Sequence, residues 1–102
     1  MAKFVFVYTG GSAPQSEAEG AAVMEKWIGW FGTMGSAVVD GGNPFGASTI
    51  VAADDSVAVT GAGLTGYSIV AADSLAAAAG MAKGCPVLTA GGAVEVYEAH
   101  DM

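Results

Sequence analysis

Apolar residues fall along this chain in two rhythms, one of period two and one of period three to four, and the alternation between them predicts the elements. Phe4-Val5-Phe6-Val7-Tyr8-Thr9 is β-branched or aromatic on both alternating sets, which predicts a strand covered on both faces. Gly10-Gly11 ends it, and Ser16-Glu17-Ala18-Glu19 forms a capping box that opens a helix: the Ser16 hydroxyl accepts the third helical N–H and Glu19 reaches back. Met24, Trp27, Ile28 and Phe31 recur at three and four along that helix, with Val23, Trp30 and Met34 on an adjoining flank, and the helix is expected to end near Gly35.

Ala37-Val38-Val39-Asp40 reads as a second, short strand running into the turn Gly41-Gly42-Asn43-Pro44. Two β-forming runs, 48–53 and 56–60, separated by Asp54-Asp55, predict a hairpin. Tyr67-Ser68-Ile69-Val70-Ala71 is a further strand. Asp73 is then expected to cap a helix from Ser74 to Lys83, with Leu75 its one large apolar anchor, Gly84 a C′ glycine and Pro86 beyond. A final strand, Ala93 to Ala99, sets Val94 and Val96 on one face and Glu95 and Tyr97 on the other. Residues 1–102 thus form one domain of the α+β class, a ferredoxin-like βαββαβ pattern with an inserted β-hairpin.

Composition sharpens this picture. Hydrophobic residues make up 53% of the chain and charged ones 13%, with mean hydropathy +0.52, so a disordered chain is excluded. The longest stretch without a charge, Ser56 to Ala72, falls short of the ~20 apolar residues of a membrane span and is cut by three glycines. Two helices cover one face of a four-stranded sheet, yet the first strand is apolar on both. The economical cover for the open face is the same face of a second copy, a homodimer through sheet faces.

Ten acidic residues against three lysines, Lys3, Lys26 and Lys83, leave a net charge of −7, which repels a phosphate backbone and an anionic membrane alike. Cys85 and His100 are each the single residue of their kind, so neither a disulfide nor a metal site is expected. No leader pattern opens the sequence, and a cytoplasmic location is the default expectation.

The chain resembles the YCII-related, or DGPF-domain, family. The residues that carry the likeness are the helix with paired tryptophans leading into Ala37-Val38-Val39-Asp40-Gly41-Gly42, the run Gly66 to Leu75, Ala82-Lys83-Gly84-Cys85-Pro86, and the ending Gly91-Gly92-Ala93-Val94-Glu95-Val96. The resemblance implies a dimeric α+β barrel, a homodimer, and a pocket between helix and sheet; most relatives have no assigned reaction. One branch is proposed to use a histidine on the first helix with an aspartate. That histidine falls around Met24 or Trp27, and here neither is histidine.

Among candidate site residues, Asp40 stands out: a carboxylate ending an apolar strand beside Gly-Gly either lines a pocket, where burial raises its pKa, or caps its own turn. Trp27 lies within the apolar stripe and is expected in the core. Trp30 sits about 60° off that stripe, at roughly 100° per residue, and is expected at an interface or pocket rim. The Tyr8 and Tyr67 hydroxyls need partners if buried. Cys85 reads as a small packed residue, and His100 as part of a solvated tail. Gly61-Ala62-Gly63-Leu64-Thr65-Gly66 matches the dinucleotide fingerprint in letters but precedes a strand, where the fingerprint must open a helix. The expected function is therefore binding of a small organic molecule in a cleft between helix and sheet, shaped by Tyr8, Trp27, Trp30 and Tyr67. Two versions stand: a cofactor-independent enzyme relying on Asp40, or a non-catalytic module that binds a ligand or a protein.

Overall fold

The computed structural model describes residues 1–11, 14–58 and 63–101. Strand β1 (Ala2–Thr9) leads to helix α1 (Glu17–Met34), then through a 3-10 turn (Gly35–Ala37) to β2 (Val38–Asp40). The hairpin strands β3 (Ile50–Val51) and β4 (Val57–Ala58) follow, then β5 (Leu64–Ala72), α2 (Leu75–Ala82), a second 3-10 turn (Pro86–Ala90) and β6 (Ala93–Ala99). The four longer-range strands form one antiparallel sheet in the order β2-β5-β1-β6, while β3 and β4 pair with each other alone. The molecule is a small α+β protein.

Register fixes which residues face the helices. Phe4 lies opposite Val70, Phe6 opposite Ser68 and Tyr8 opposite Gly66, and Phe6 is flanked on its other side by Val96. These residues share one face, because side chains alternate along a strand. That face packs with Trp30 of α1 and with Ala78 and Ala82 of α2 into the core. The other face carries Val5, Val7, Ile69 and Ala71, half-buried and outside the core cluster, with neither helix packed over them.

Both helices begin where a hydroxyl can satisfy a free N–H. The Ser16 Oγ accepts from Glu19 N at 3.1 Å, as the capping box predicts, and α1 ends at Gly35. For α2 the cap is Ser74, whose Oγ accepts from Ala77 N at 3.1 Å, and not the neighbouring Asp73. Leu75 does not anchor this helix: it is 53% exposed, and the buried positions are Ala78 and Ala82, one turn apart. Small side chains there let α2 lie close on the sheet and leave room for a large ring from α1.

Trp30 is that ring, which reverses the expected order of the two tryptophans. It is 6% exposed, stacks on Phe6 at 6.0 Å, and donates from Nε1 to the Met81 carbonyl at 3.0 Å, whereas Trp27 is half-buried. Met24 and Ile28, on the stripe that periodicity assigns to the core, are 60% and 63% exposed. Gly84 also differs from expectation. Its φ is not positive, so it is no left-handed cap; a Cβ there would lie 3.0 Å from Trp30 Cδ1, and close approach of the indole requires glycine.

Asp54 and Asp55 turn the hairpin as predicted, with Asp54 Oδ1 accepting from Ser56 N at 3.0 Å and Asp55 at φ 68°. Its strands are shorter than the apolar runs, and Val59 and Thr60 lie outside the described residues.

Candidate functional site

A cleft of about 330 Å³ opens between α1 and the sheet end where β2 leaves and β5 enters. Met24, Trp27 and Phe31 of α1 form one wall, the backbone from Gly41 to Pro44 and Tyr67 of β5 the other, and Tyr8 lies at the base. Met24, Trp27 and Phe31, three of the four residues of the stripe read from the sequence, line the cleft together, while Ile28 is exposed outside it. That stripe faces this cleft, and the core lies on the flank.

The loop wall is held by backbone geometry. Gly42 adopts φ 79° and passes so close to β5 that a Cβ would collide with the Tyr67 carbonyl. Only glycine tolerates both conditions. Pro44 bridges to Gly66, Phe45 N donates to the Thr65 carbonyl at 2.9 Å, and the Phe45 ring stacks on Tyr67 at 5.8 Å.

At the base, a chain of hydrogen bonds links three elements. Tyr8 Oη donates to Ser68 Oγ at 2.6 Å, and Ser68 Oγ donates to the Gly41 carbonyl at 2.7 Å. Both side chains are buried, so a missing partner would leave a polar group dry. Burial pushes the Tyr8 phenol up to about 12, an effect that the Ser68 bond opposes. The Tyr8 ring meets Trp27 edge to face at 5.0 Å, and Trp27 meets Phe31 at 5.9 Å. Ser68 has no place in the sequence-derived site. Its signal was its phase: it shares the buried set of β5 with Val70 and Ala72, and a lone hydroxyl there needs a partner from the facing strand.

Asp40 is exposed and does not line the cleft. A bulge sets Asp40 opposite Ile69 while Val38 opposes Val70. Oδ1 accepts from Gly42 N at 2.8 Å, capping its own turn, and Oδ2 accepts from the Tyr67 hydroxyl at 3.3 Å. Of the predicted site residues, the structure brings Tyr8 and Trp27 together at the cleft; Tyr67 is in phase with Val7 and Ile69, so its ring and the Asp40 carboxylate bonded to it lie on the other sheet face. Trp30 stands apart from the cleft and borders a second, more open hollow that Lys26, Lys83 and the segment around Cys85 also line. Cys85 is buried, and burial raises its thiol to about 11. His100 is exposed, with Nε2 3.2 Å from Glu98 Oε1. Gly61 and Ala62 of the glycine-rich motif lie outside the described residues; Leu64, the fourth residue of that motif, already begins β5.

Among the described residues, no three His, Cys, Asp or Glu side chains cluster to hold a metal ion, and no helix is long and apolar enough to cross a membrane. No family model matches the chain, and no similar protein was found among curated proteins or solved structures.

Proposed function

We propose that this protein is a homodimer that binds a small organic molecule in the cleft between α1 and the β2–β5 end of the sheet, and that it acts as a binding module rather than as a carboxylate-dependent enzyme. The observation that carries the reading is the cleft itself: concave, walled by Met24, Trp27 and Phe31 on one side and the loop from Gly41 to Pro44 on the other, with Tyr8 at its base. Asp40 supports binding over catalysis. Its carboxylate is exposed and already occupied by the Gly42 N–H of its own turn, which is the posture of a turn cap and not of a general base held in an apolar site.

The strand order β2-β5-β1-β6, with both helices on one face, is that expected of a ferredoxin-like domain with a hairpin inserted between its second and third sheet strands. It supports the proposed kinship with the YCII-related family and its dimeric α+β barrels. Three features favour a second copy on the open face. Val5, Val7 and Ile69 form an apolar strip on the two central strands. The chain exposes 6677 Å², against roughly 5,200 Å² for a compact monomer of its 10.0 kDa mass. Its extents, 44 × 40 × 19 Å, are those of a slab one sheet and one helix layer thick.

The cleft is tested by titrating isotope-labelled protein with a library of small organic fragments and following its amide and indole signals. Binding that shifts Trp27 Nε1–H together with the amides of Gly41, Gly42 and Tyr67 is the expected result. A library whose hits all leave these signals in place would refute it.

A further inference from the structure

We infer that this cleft takes an uncharged, planar aromatic molecule, held between the rings of α1 and the backbone of the Gly41–Gly42 loop. The inference rests on the reading of the cleft as a binding site and specifies what it admits. Among the described residues that line it, none carries a charged side chain. Lys26 and Lys83 border the other hollow, Lys3 lies at the start of β1, and the Asp40 carboxylate is bonded to Tyr67 on the other face of the sheet. A charged group of either sign would therefore give up its hydration in the cleft with no opposite charge among the lining residues to replace it. The base adds no charge: the Tyr8 hydroxyl donates to Ser68, and burial keeps that phenol protonated.

The two walls then decide the shape. On one side Trp27 and Phe31 lie 5.9 Å apart with their planes tilted by 39°, and at the base Tyr8 meets Trp27 edge to face at 5.0 Å. An aromatic ligand continues this array and gains ring contacts beyond the area it buries. On the other side Gly41 and Gly42 bring no side chains, so the wall presents planar peptide groups. Gly41 faces Phe31 directly: a Cβ there would lie 3.9 Å from Phe31 Cζ, so a single methyl would span the cleft at that end. Rings on one side and peptide planes on the other form a slot that a flat molecule touches on both sides, whereas a puckered ring of the same size is held off one of them. At about 330 Å³ the cleft is at the small end of ligand cavities, a size that suits two fused rings.

Four compounds of one size separate charge from shape: 2-naphthalenemethanol, the anion 2-naphthoate, the cation 2-naphthylmethylammonium, and the saturated decahydro-2-naphthalenemethanol. In titrations of the full chain followed at the Trp27 indole and the Gly41 and Gly42 amides, 2-naphthalenemethanol is expected to bind about tenfold more tightly than either charged analogue. It should also bind about fivefold more tightly than the saturated alcohol. Gly41→Ala places its methyl in ordinary contact with Phe31, at a residue without a positive φ, and so keeps the fold; it should weaken 2-naphthalenemethanol by about tenfold. Trp27→Leu should cost about tenfold as well, with Phe31→Leu as the alternative wall substitution if the first variant does not fold. Either charged analogue binding as tightly as the alcohol would overturn the preference for an uncharged ligand, and the saturated alcohol binding as tightly would overturn the preference for a planar one. Unchanged affinity in Gly41→Ala would overturn the slot. Failure of 2-naphthalenemethanol to move any of these signals would overturn the proposal, and the fragment titration above would then decide whether the cleft binds anything else.

Discussion

Trp30 of α1 is bonded to Met81 of α2, its indole Nε1 donating to the Met81 carbonyl at 3.0 Å across a sequence separation of 51 residues. That bond joins the two helices over the sheet and fixes the indole where Gly84 must pass it. A Cβ on Gly84 would lie 3.0 Å from Cδ1 and 3.2 Å from Nε1 of a ring that is stacked and bonded, with little room to give. Gly84→Ala should therefore destabilise the fold by about 1–3 kcal/mol, the usual cost of overpacking. Trp30→Phe, which leaves the Met81 carbonyl without its donor and a void beside Phe6, should cost about 2–4 kcal/mol. Trp27→Phe, at a half-buried position, should cost less than Trp30→Phe. Urea unfolding of the three variants compares them directly.

Ser68 stands between Tyr8 and Gly41 as acceptor of one hydrogen bond and donor of the other, so its loss strands both neighbours. Ser68→Ala should cost about 1–3 kcal/mol, since a buried phenol and a carbonyl then lack partners. Tyr8→Phe removes only the outer donor and leaves the Ser68 bond to Gly41 in place; its cost should be nearer 1 kcal/mol. The double variant should be less destabilised than the sum of the two, because a ring without its hydroxyl no longer needs the oxygen that Ser68→Ala removes. Strict additivity would show that the hydroxyl chain is not coupled.

The buried Tyr8 and Cys85 also set an alkaline limit on stability. Their folded-state values, about 12 and about 11, lie above the ordinary 10.0 and 9.0. The folded state thus keeps its protons to higher pH than the unfolded chain, which releases them first. The stabilisation is complete below pH 9, erodes as pH rises from there, and is lost by about pH 12. Unfolding midpoints measured from pH 8 upward should fall along this course. Tyr8→Phe should flatten the upper part of the decline and Cys85→Ala the lower part, and an unchanged slope in both variants would contradict the assignment.

The sequence made some of this legible and hid the rest for identifiable reasons. Local chemistry was readable: the Ser16 cap, the end of α1 at Gly35, the Asp54-Asp55 turn and the two faces of β6 depend on neighbours in the chain. Which face of α1 becomes core was not. The helix has apolar residues on adjoining stripes, and the choice falls to the partner surface: Ala78 and Ala82 make α2 thin enough to admit Trp30, which turns Met24 and Ile28 outward. Asp73 and Ser74 are both good caps standing side by side, and only the path of the chain into α2 selects Ser74. The cleft residues Tyr8 and Trp27 were legible as aromatic rings in search of partners; the face on which Tyr67 finds Asp40 and Phe45 was not. Ser68 and the Gly42 contact were not, because each depends on a strand distant in sequence.

The surplus of apolar residues over charges finds its place in the same geometry. Both helices lie on one face of the sheet, and the other face presents Val5, Val7 and Ile69, with neither helix above them. An apolar strip on central strands is the signature of an interface. The second copy proposed above, related by a two-fold axis, would cover it with the same strip. Replacing Val7 with Lys on that face should then separate the copies without disturbing the core, since Val7 points away from Phe6 and Tyr8.

The claim on which this account turns, that the open sheet face belongs to a second copy, is tested most directly by sedimentation equilibrium at micromolar concentration. The account predicts a mass twice the 10.0 kDa of one chain, falling to that of a single chain in Val7→Lys; a wild-type mass near 10.0 kDa would contradict it.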